Sequence, residues 1–253
     1  MYRIIKTRIA QGNRTVKYPE AAPSLPDRFR GLPLIDRLGC THSCRTCIGS
    51  CPVSAIEKER GELTIDVGEC IFCGNCEGAC PNRAIRFTAE YAMAVRARAD
   101  LVIATDKQYR HAERLEQGML KLFGRSLKLR EVSAGGCNAC EADVNVLNTI
   151  VFDLSRFGIQ FVASPRHADG LLVTGPVSRN MELALKKTYE ATPDPKIVIA
   201  VGACAISGGM FRQHREVHKG VDEILPVDLY IPGCPPNPYT TLDGMLRLIG
   251  RIV

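Results

Sequence analysis

Apolar positions are sparse over residues 1–32, and Pro19, Pro23 and Pro26, followed by Pro33, break any period through the second half of that stretch. Such a segment reads as an extended N-terminal arm that cannot pack on itself and needs a partner surface. Residues 33–90 carry a short internal repeat, SCPVSAI in one half and ACPNRAI in the other, too dense in cysteine for a conventional core. Residues 91–126 read as a connecting segment. They hold the apolar run Leu101-Val102-Ile103 and then a helical stripe over 109–123, with Leu115, Met119, Leu120 and Phe123 on one side and Gly124 as its stop.

From residue 127 onward the pattern alternates. Strand-like runs lie at Leu127 to Val132, Ile159 to Ala163, Leu171 to Thr174, Ile197 to Val201 and Val227 to Ile231. Helical periods lie at 141–157, with Val144, Leu147, Val151 and Leu154 in register, at 179–190 behind Ser178, and at 238–250 behind Asn237 with Pro238 in the first turn. Alternation of this kind predicts an α/β domain over 127–253, a flavodoxin-like doubly wound parallel sheet. Ligands of such sheets gather beyond the carboxyl ends of the strands.

The cysteines add chemistry to this outline. Eight of the twelve form two runs, Cys40, Cys44, Cys47, Cys51-Pro52 and Cys70, Cys73, Cys76, Cys80-Pro81. In this spacing three close thiolates hold one cubane cluster and the cysteine before proline reaches across to the other. The expected sets are Cys40, Cys44, Cys47 with Cys80, and Cys70, Cys73, Cys76 with Cys51, in a ferredoxin-like α+β domain holding two [4Fe-4S] clusters. Structural zinc prefers two C-x2-C pairs on a longer spacer and has no use for a third cysteine plus Cys-Pro. Cys40 and Cys44 are separated by three residues instead of two, which puts the geometry of that turn in question.

The formal net charge of +6 would suggest nucleic acid, yet an oxidised thiolate-bound cubane carries about −2, and three would offset the excess. The basic stretches Arg3, Lys6, Arg8, Arg14, Lys17 and Lys121, Arg125, Lys128, Arg130 then read as solvated faces. The N-terminus lacks the apolar core of a secretory signal, and the most apolar run, Ile197 to Ile206, is about half of the roughly 20 residues a membrane span needs. A cytoplasmic protein is expected, peripheral to the membrane through partner subunits. No phosphate-binding glycine loop is found.

The last four cysteines each follow a predicted strand: Cys137 and Cys140 in SAGGCNACE, Cys204 in VGACAISGG and Cys234 in YIPGCPPNP. Distant segments can thus converge at one crevice, with flanking glycines admitting close backbone. Four thiolates there suit a third [4Fe-4S] cluster; zinc and ordinary buried cysteines are the alternatives.

GGCNACE, RFGIQFVASPRHADGLLVTGPVSR, DPKIVIAVGACAISGGMF and VDLYIPGCPPNP resemble the small subunit of group 4 [NiFe] hydrogenases, the energy-converting and formate-hydrogenlyase type related to respiratory complex I. The N-terminal half resembles the two-cluster ferredoxin subunit of the same complexes, so the chain looks like a fusion of the two. The resemblance implies that Cys137, Cys140, Cys204 and Cys234 hold a proximal cluster facing the nickel-iron site of a large subunit, within a complex with membrane subunits and a low-potential electron donor. No nucleic-acid partner is expected, because the cluster charges account for the basic excess. Complex I homologues carry two adjacent cysteines at the first position, so Cys137-x2-Cys140 favours the hydrogenase branch. A complex-I-like quinone or sulfur oxidoreductase subunit without nickel, and a free ferredoxin-like carrier, are the alternatives. Glu141 is a candidate for a proton path to the nickel site, although it and Asp143 also suit a helix start on dipole grounds. Arg166 and His167 are expected at the large-subunit interface, and His214 and His218 in solvent.

Overall fold

The computed structural model describes residues 2–41, 43–105 and 109–252. The chain opens with helix α1 (Tyr2–Gln11), none of whose residues is buried. This corrects the expectation of an arm extended from its start: YRIIKTRIAQ contains neither proline nor glycine, so nothing in it opposes a helix. Beyond Gly12 the arm runs over this chain's own surface. Val16 N–H donates to the Val151 carbonyl (2.8 Å), and the Arg156 guanidinium donates to the carbonyls of Val16 (2.9 Å) and Tyr18 (2.8 Å).

The cysteine repeat folds as β1 (Pro33–Ile35), α2 (Thr46–Ser50), β2 (Ile56–Glu59), β3 (Glu62–Asp66), α3 (Asn75–Ala79), β4 (Ile85–Phe87) and β5 (Val102–Ala104). β1 pairs antiparallel with β4, and β2-β3-β5 form an antiparallel sheet. Arg60 (φ 48°) and Gly61 (φ 89°) join β2 to β3 in the doubly left-handed turn that suits the strand twist. The run Leu101-Val102-Ile103 thus gives a strand to the ferredoxin-like unit instead of only bridging. The helical stripe is shorter than its pattern: α4 covers only Gln117–Phe123. Its upstream part is held by tertiary bonds instead, Ala112 N–H to the Ala94 carbonyl and Leu115 N–H to the Leu248 carbonyl.

The remainder is a five-stranded parallel sheet. Its elements are β6 (Leu127–Ser133), α5 (Ala139–Val146), β7 (Ile159–Phe161), β8 (Gly170–Thr174), α6 (Arg179–Ala191), β9 (Ile197–Val201), α7 (Ala203–Ser207), β10 (Leu229–Ile231) and α8 (Pro238–Leu248), with strand order β10-β9-β8-β6-β7. Every residue of β8 and β9 is buried, as strands covered on both faces require. Asn237 accepts from Tyr239 N–H (2.9 Å) and starts α8 as its type predicts. α5 ends at Val146, well short of its pattern, and a 3-10 turn over Leu154–Phe157 buries Leu154 separately.

The two units are tied along the β10 edge and the end of α7. Val95 and Tyr230 exchange backbone bonds (2.8 and 3.0 Å), covering the sheet edge. Arg212 pairs with Glu69 and the Ser207 hydroxyl donates to the Gly68 carbonyl (3.3 Å), while within the ferredoxin-like unit Arg98, just before β5, grips Asp66 of β3 with both terminal nitrogens (2.9 and 2.8 Å).

Tyr18 is the arm's anchor. It is buried among Tyr91 and Tyr239, and its hydroxyl donates to Asp243 Oδ1 (2.7 Å), whose other oxygen accepts from Arg247 (2.8 Å). Tyr18→Phe should cost about 1–3 kcal/mol through the unmet carboxylate oxygen, whereas deleting residues 2–11 should leave stability unchanged. Thermal melts of the holoprotein check both; an unshifted melting temperature in Tyr18→Phe would show that the arm is not anchored there.

Candidate metal centres

All twelve cysteines are free thiols. Cys40, Cys44, Cys47 and Cys80 line one space, and Cys51, Cys70, Cys73 and Cys76 line a second. The fourth cysteine of each run therefore sits with the other run. Local structure explains the exchange: α2 and α3 pack together, and Cys51 and Cys80 are their C-terminal caps, each turning extended as its helix ends. The repeat is exact in a further respect. Ser54 (φ 50°) and Arg83 (φ 52°) are left-handed at equivalent positions, and each aims the next amide at a cap sulfur, Ala55 N–H to Cys51 Sγ (3.3 Å) and Ala84 N–H to Cys80 Sγ (3.2 Å).

Electrostatics reports the same grouping. Burial first, then the charge of neighbouring thiolates, raises the buried cysteines: Cys70 up to about 12 and Cys76 up to about 11, each feeling Cys51 and Cys73, while Cys47 is raised with Cys40 and Cys80 as its charged neighbours. Cys44 is lowered by its hydrogen bond with Thr46.

The other four thiols meet at the carboxyl edge of the parallel sheet. Cys137 lies in the turn from β6 into α5, Cys140 in the first turn of α5, Cys204 in α7 just after β9, and Cys234 in the loop after β10. Burial raises Cys204 to about 11 and lifts Cys140 and Cys234; Cys137 acts on all three, and Cys234 on Cys140 and Cys204. Glycine is required where backbone meets sulfur. A Cβ on Gly202 (φ 89°) would stand 2.6 Å from Cys140 Sγ, and one on Gly209 (φ 55°) 2.8 Å from Cys204 Sγ. Among the described residues no three His, Cys, Asp or Glu side chains gather closely enough for a single metal ion. The first two thiol sets instead surround a space, which fits a cluster with iron at its corners better than one central ion. Clustered cysteine sulfurs suit an iron–sulfur group at all three places, with amide donors to sulfur at the first two and side-chain-free backbone beside sulfur at the third.

Glu141, in the first turn of α5, is buried and accepts from the Ser133 hydroxyl (2.5 Å) and the Thr174 hydroxyl (2.7 Å). Burial pushes its carboxyl upward, but these bonds outweigh it and hold the group below the ordinary range. It therefore braces the ends of β6 and β8 as an ionised acceptor. Glu131, half-buried nearby with its Oε1 enclosed and unpartnered, is raised by burial and by the charge of Glu141. Asp143 borders, with Cys234, a crevice that Ile71 and Phe72 close from the other side. Arg166 and His167 are exposed in a 3-10 turn before β8. His218 is not in solvent as expected: it is half-buried and its Nε2 meets Glu182 Oε2 at 2.9 Å. His214 is exposed.

Lys58 escaped sequence reasoning. It is 7% exposed, and its ammonium donates to the Thr41 carbonyl (2.7 Å), the Cys44 carbonyl (3.3 Å) and Cys40 Sγ (3.4 Å). The signal was available in the alternation of β2, IEKE, where Lys58 shares the inward face with Ile56.

Comparison with known proteins follows this geometry. The family described as NADH ubiquinone oxidoreductase, 20 Kd subunit, matches residues 137–248, and the 4Fe-4S dicluster domain matches residues 32–81. A Pyrococcus furiosus protein named "Probable membrane-bound hydrogenase subunit mbhJ" is 43% identical over 53% of this chain and 80% of its own length. The chain belongs to the NADH ubiquinone oxidoreductase 20 kDa subunit family. Formate hydrogenlyase subunit 7 of Escherichia coli is 46% identical over 54% of this chain; the match spans about half the length of that relative, 54%. An NADH-quinone oxidoreductase subunit of Citrifermentans bemidjiense is 47% identical over 46% of the chain and 68% of its own length. The family thus supplies the parallel-sheet half, joined here to an iron–sulfur dicluster domain. Among the described residues no helix is long and apolar enough to cross a membrane.

If the four C-terminal thiols share a metal group, Gly202→Ala should evict it while sparing any groups at the other two sets, because the new methyl would stand 2.6 Å from Cys140 Sγ. Iron per chain should fall by about one third, measured after anaerobic purification. Unchanged iron would show that the four C-terminal thiols do not share a group beside Gly202.

Proposed function

We propose that the chain is an iron–sulfur electron-transfer subunit of a membrane-associated multisubunit [NiFe] hydrogenase. In this reading Cys40, Cys44, Cys47 and Cys80 hold the first [4Fe-4S] cluster, Cys51, Cys70, Cys73 and Cys76 the second, and Cys137, Cys140, Cys204 and Cys234 the third. Bound clusters supply one-electron chemistry. The protein supplies order and insulation. The carrying observation is the crevice where Ile71 and Phe72, inside the second cysteine run, face Cys234 and Pro235. Gly68 and Glu69, directly before Cys70, also bear on Ser207 and Arg212, three and eight residues after Cys204. The second thiol set therefore adjoins the third, and the sequence of relay is first, second, third.

The exposure of Cys137 and Cys234 supports the carboxyl edge as the face where a nickel-bearing large subunit would receive electrons for proton reduction to H2; Arg166 and His167 are exposed just before β8. A low-potential donor would enter at the first cluster, and membrane subunits would hold the complex at the cytoplasmic face. Hydrogenase relatives and the Cys137-x2-Cys140 pair support this branch. Likeness to an NADH-quinone oxidoreductase subunit favours a second reading, the equivalent subunit of a complex-I-like oxidoreductase without nickel. For Glu141, the proton-path candidate, the ionised and doubly bonded state favours the bracing role; unchanged H2 production in Glu141→Gln would leave it there.

The chain alone should accept electrons from a strong reductant, contain about twelve iron atoms, and evolve no H2; joined to its large subunit it should evolve H2. Cys140→Ser or Cys234→Ser should cut electron flow to the large subunit even where that subunit assembles. A large subunit lacking two C-x2-C pairs would overturn the hydrogenase reading in favour of the complex-I-like one, and zinc at the third site would overturn the relay itself.

A further inference from the structure

The two halves of the ferredoxin-like unit repeat each other closely but are not electrically equivalent. In the second run the two-residue turn between Cys70 and Cys73 places Phe72 (φ 54°) so that its N–H donates to Cys70 Sγ (3.3 Å). At the matching sulfur of the first run, Cys40 Sγ, the donor is the ammonium of Lys58 (3.4 Å). The second thiol space is lined by cysteine, glycine and apolar side chains. Arg30 packs against Gly74 at its rim, but the sulfur donors there are the backbone amides of Ala55 and Phe72.

A lysine 7% exposed is costly unless its charge is answered. The three acceptors of Lys58 are two carbonyls and a sulfur, all within Cys40–Cys44, the stretch that has one residue more than its counterpart. Bonds to the Thr41 and Cys44 carbonyls tie both ends of the longer turn. The negative charge that answers the ammonium is on the sulfur side: four thiolates and the group they hold.

We propose that Lys58 is a positioning residue that closes the Cys40–Cys44 turn and raises the reduction potential of the first cluster. Adding one electron makes a thiolate-bound cluster more negative, so a fixed positive charge on one of its sulfurs favours the reduced form. The first site is thereby set apart from its repeat, and electrons arriving there are captured before they pass to the second. The inference rests on the cluster assignment above.

Redox titration of the anaerobically purified full chain, followed by electron paramagnetic resonance, tests it with Lys58→Gln and Lys58→Arg. The first cluster's signal is identified as the one altered in Cys40→Ser. Lys58→Gln should keep the wild-type iron content and shift that signal to lower potential by at least a tenfold change in the reduced-to-oxidised ratio, about 59 mV for a one-electron couple. The other two signals should not move, and Lys58→Arg should recover most of the shift. Unmoved potentials in Lys58→Gln would overturn the proposal, as would loss of the cluster from both variants, which would make Lys58 a structural clamp only. If Lys58→Gln alone loses the cluster, Lys58→Arg carries the test: iron retained with the potential within that tenfold step supports the proposal, and a larger fall overturns it. Wild-type protein lacking three reducible clusters would instead defeat the underlying assignment, so the two failures are distinguishable.

Discussion

Cysteines crowded into partly buried sites oppose one another's ionisation, and this repulsion is the constraint around which the molecule is arranged. Burial and neighbouring charge raise Cys70, Cys76 and Cys204 well above an ordinary thiol, so without positive iron these groups would hold their protons. The fold's answer is placement. Helix ends and glycine turns bring sulfurs around a space, and amides or an ammonium are aimed at them. In the proposed reading, iron would supply the positive charge that these crowded sulfurs lack.

Two different architectures meet this constraint. In the N-terminal unit a short repeat does it locally, with left-handed Ser54 and Arg83 turning amides onto Cys51 and Cys80. In the C-terminal unit the parallel sheet does it at long range, since β6, β9 and β10 run in one direction and deliver their following loops to one edge. Gly202 and Gly209 are there because a side chain would strike sulfur. The join between the units includes the specific polar contacts Glu69–Arg212 and Gly68–Ser207, and these fall just before Cys70 on one side and after Cys204 on the other. Stability of the interface and proximity of the two thiol sets are therefore one feature.

The N-terminal arm illustrates how a polar, proline-spaced segment becomes ordered. It has no core of its own, yet Tyr18 enters the α/β core, and residues 31–32 pair with Thr88 and Glu90. Gly31 is needed there because a Cβ would collide with the Glu90 carbonyl. The arm thus clasps both units of its own chain, and α1, which buries nothing, is the part left for another surface.

Cysteine spacing, strand–helix alternation and the Asn237 cap were legible because each is written in neighbouring residues, where backbone geometry fixes the outcome. The exchange of Cys51 and Cys80 was legible for the same reason. Helix ends at Gln117 and Val146 were not, because apolar periods continued past them while tertiary bonds from Leu248 and Ala94 and the separate burial of Leu154 took the chain elsewhere. Residue order alone dictates which atoms can bind metal and that strands carry four of them to one edge. It took the folded arrangement to establish that Lys58 answers Cys40, that Ser133 and Thr174 hold Glu141 ionised, and that the second thiol set adjoins the third. Those are contacts between residues far apart in the chain, and their energies depend on burial and direction, which no local pattern encodes.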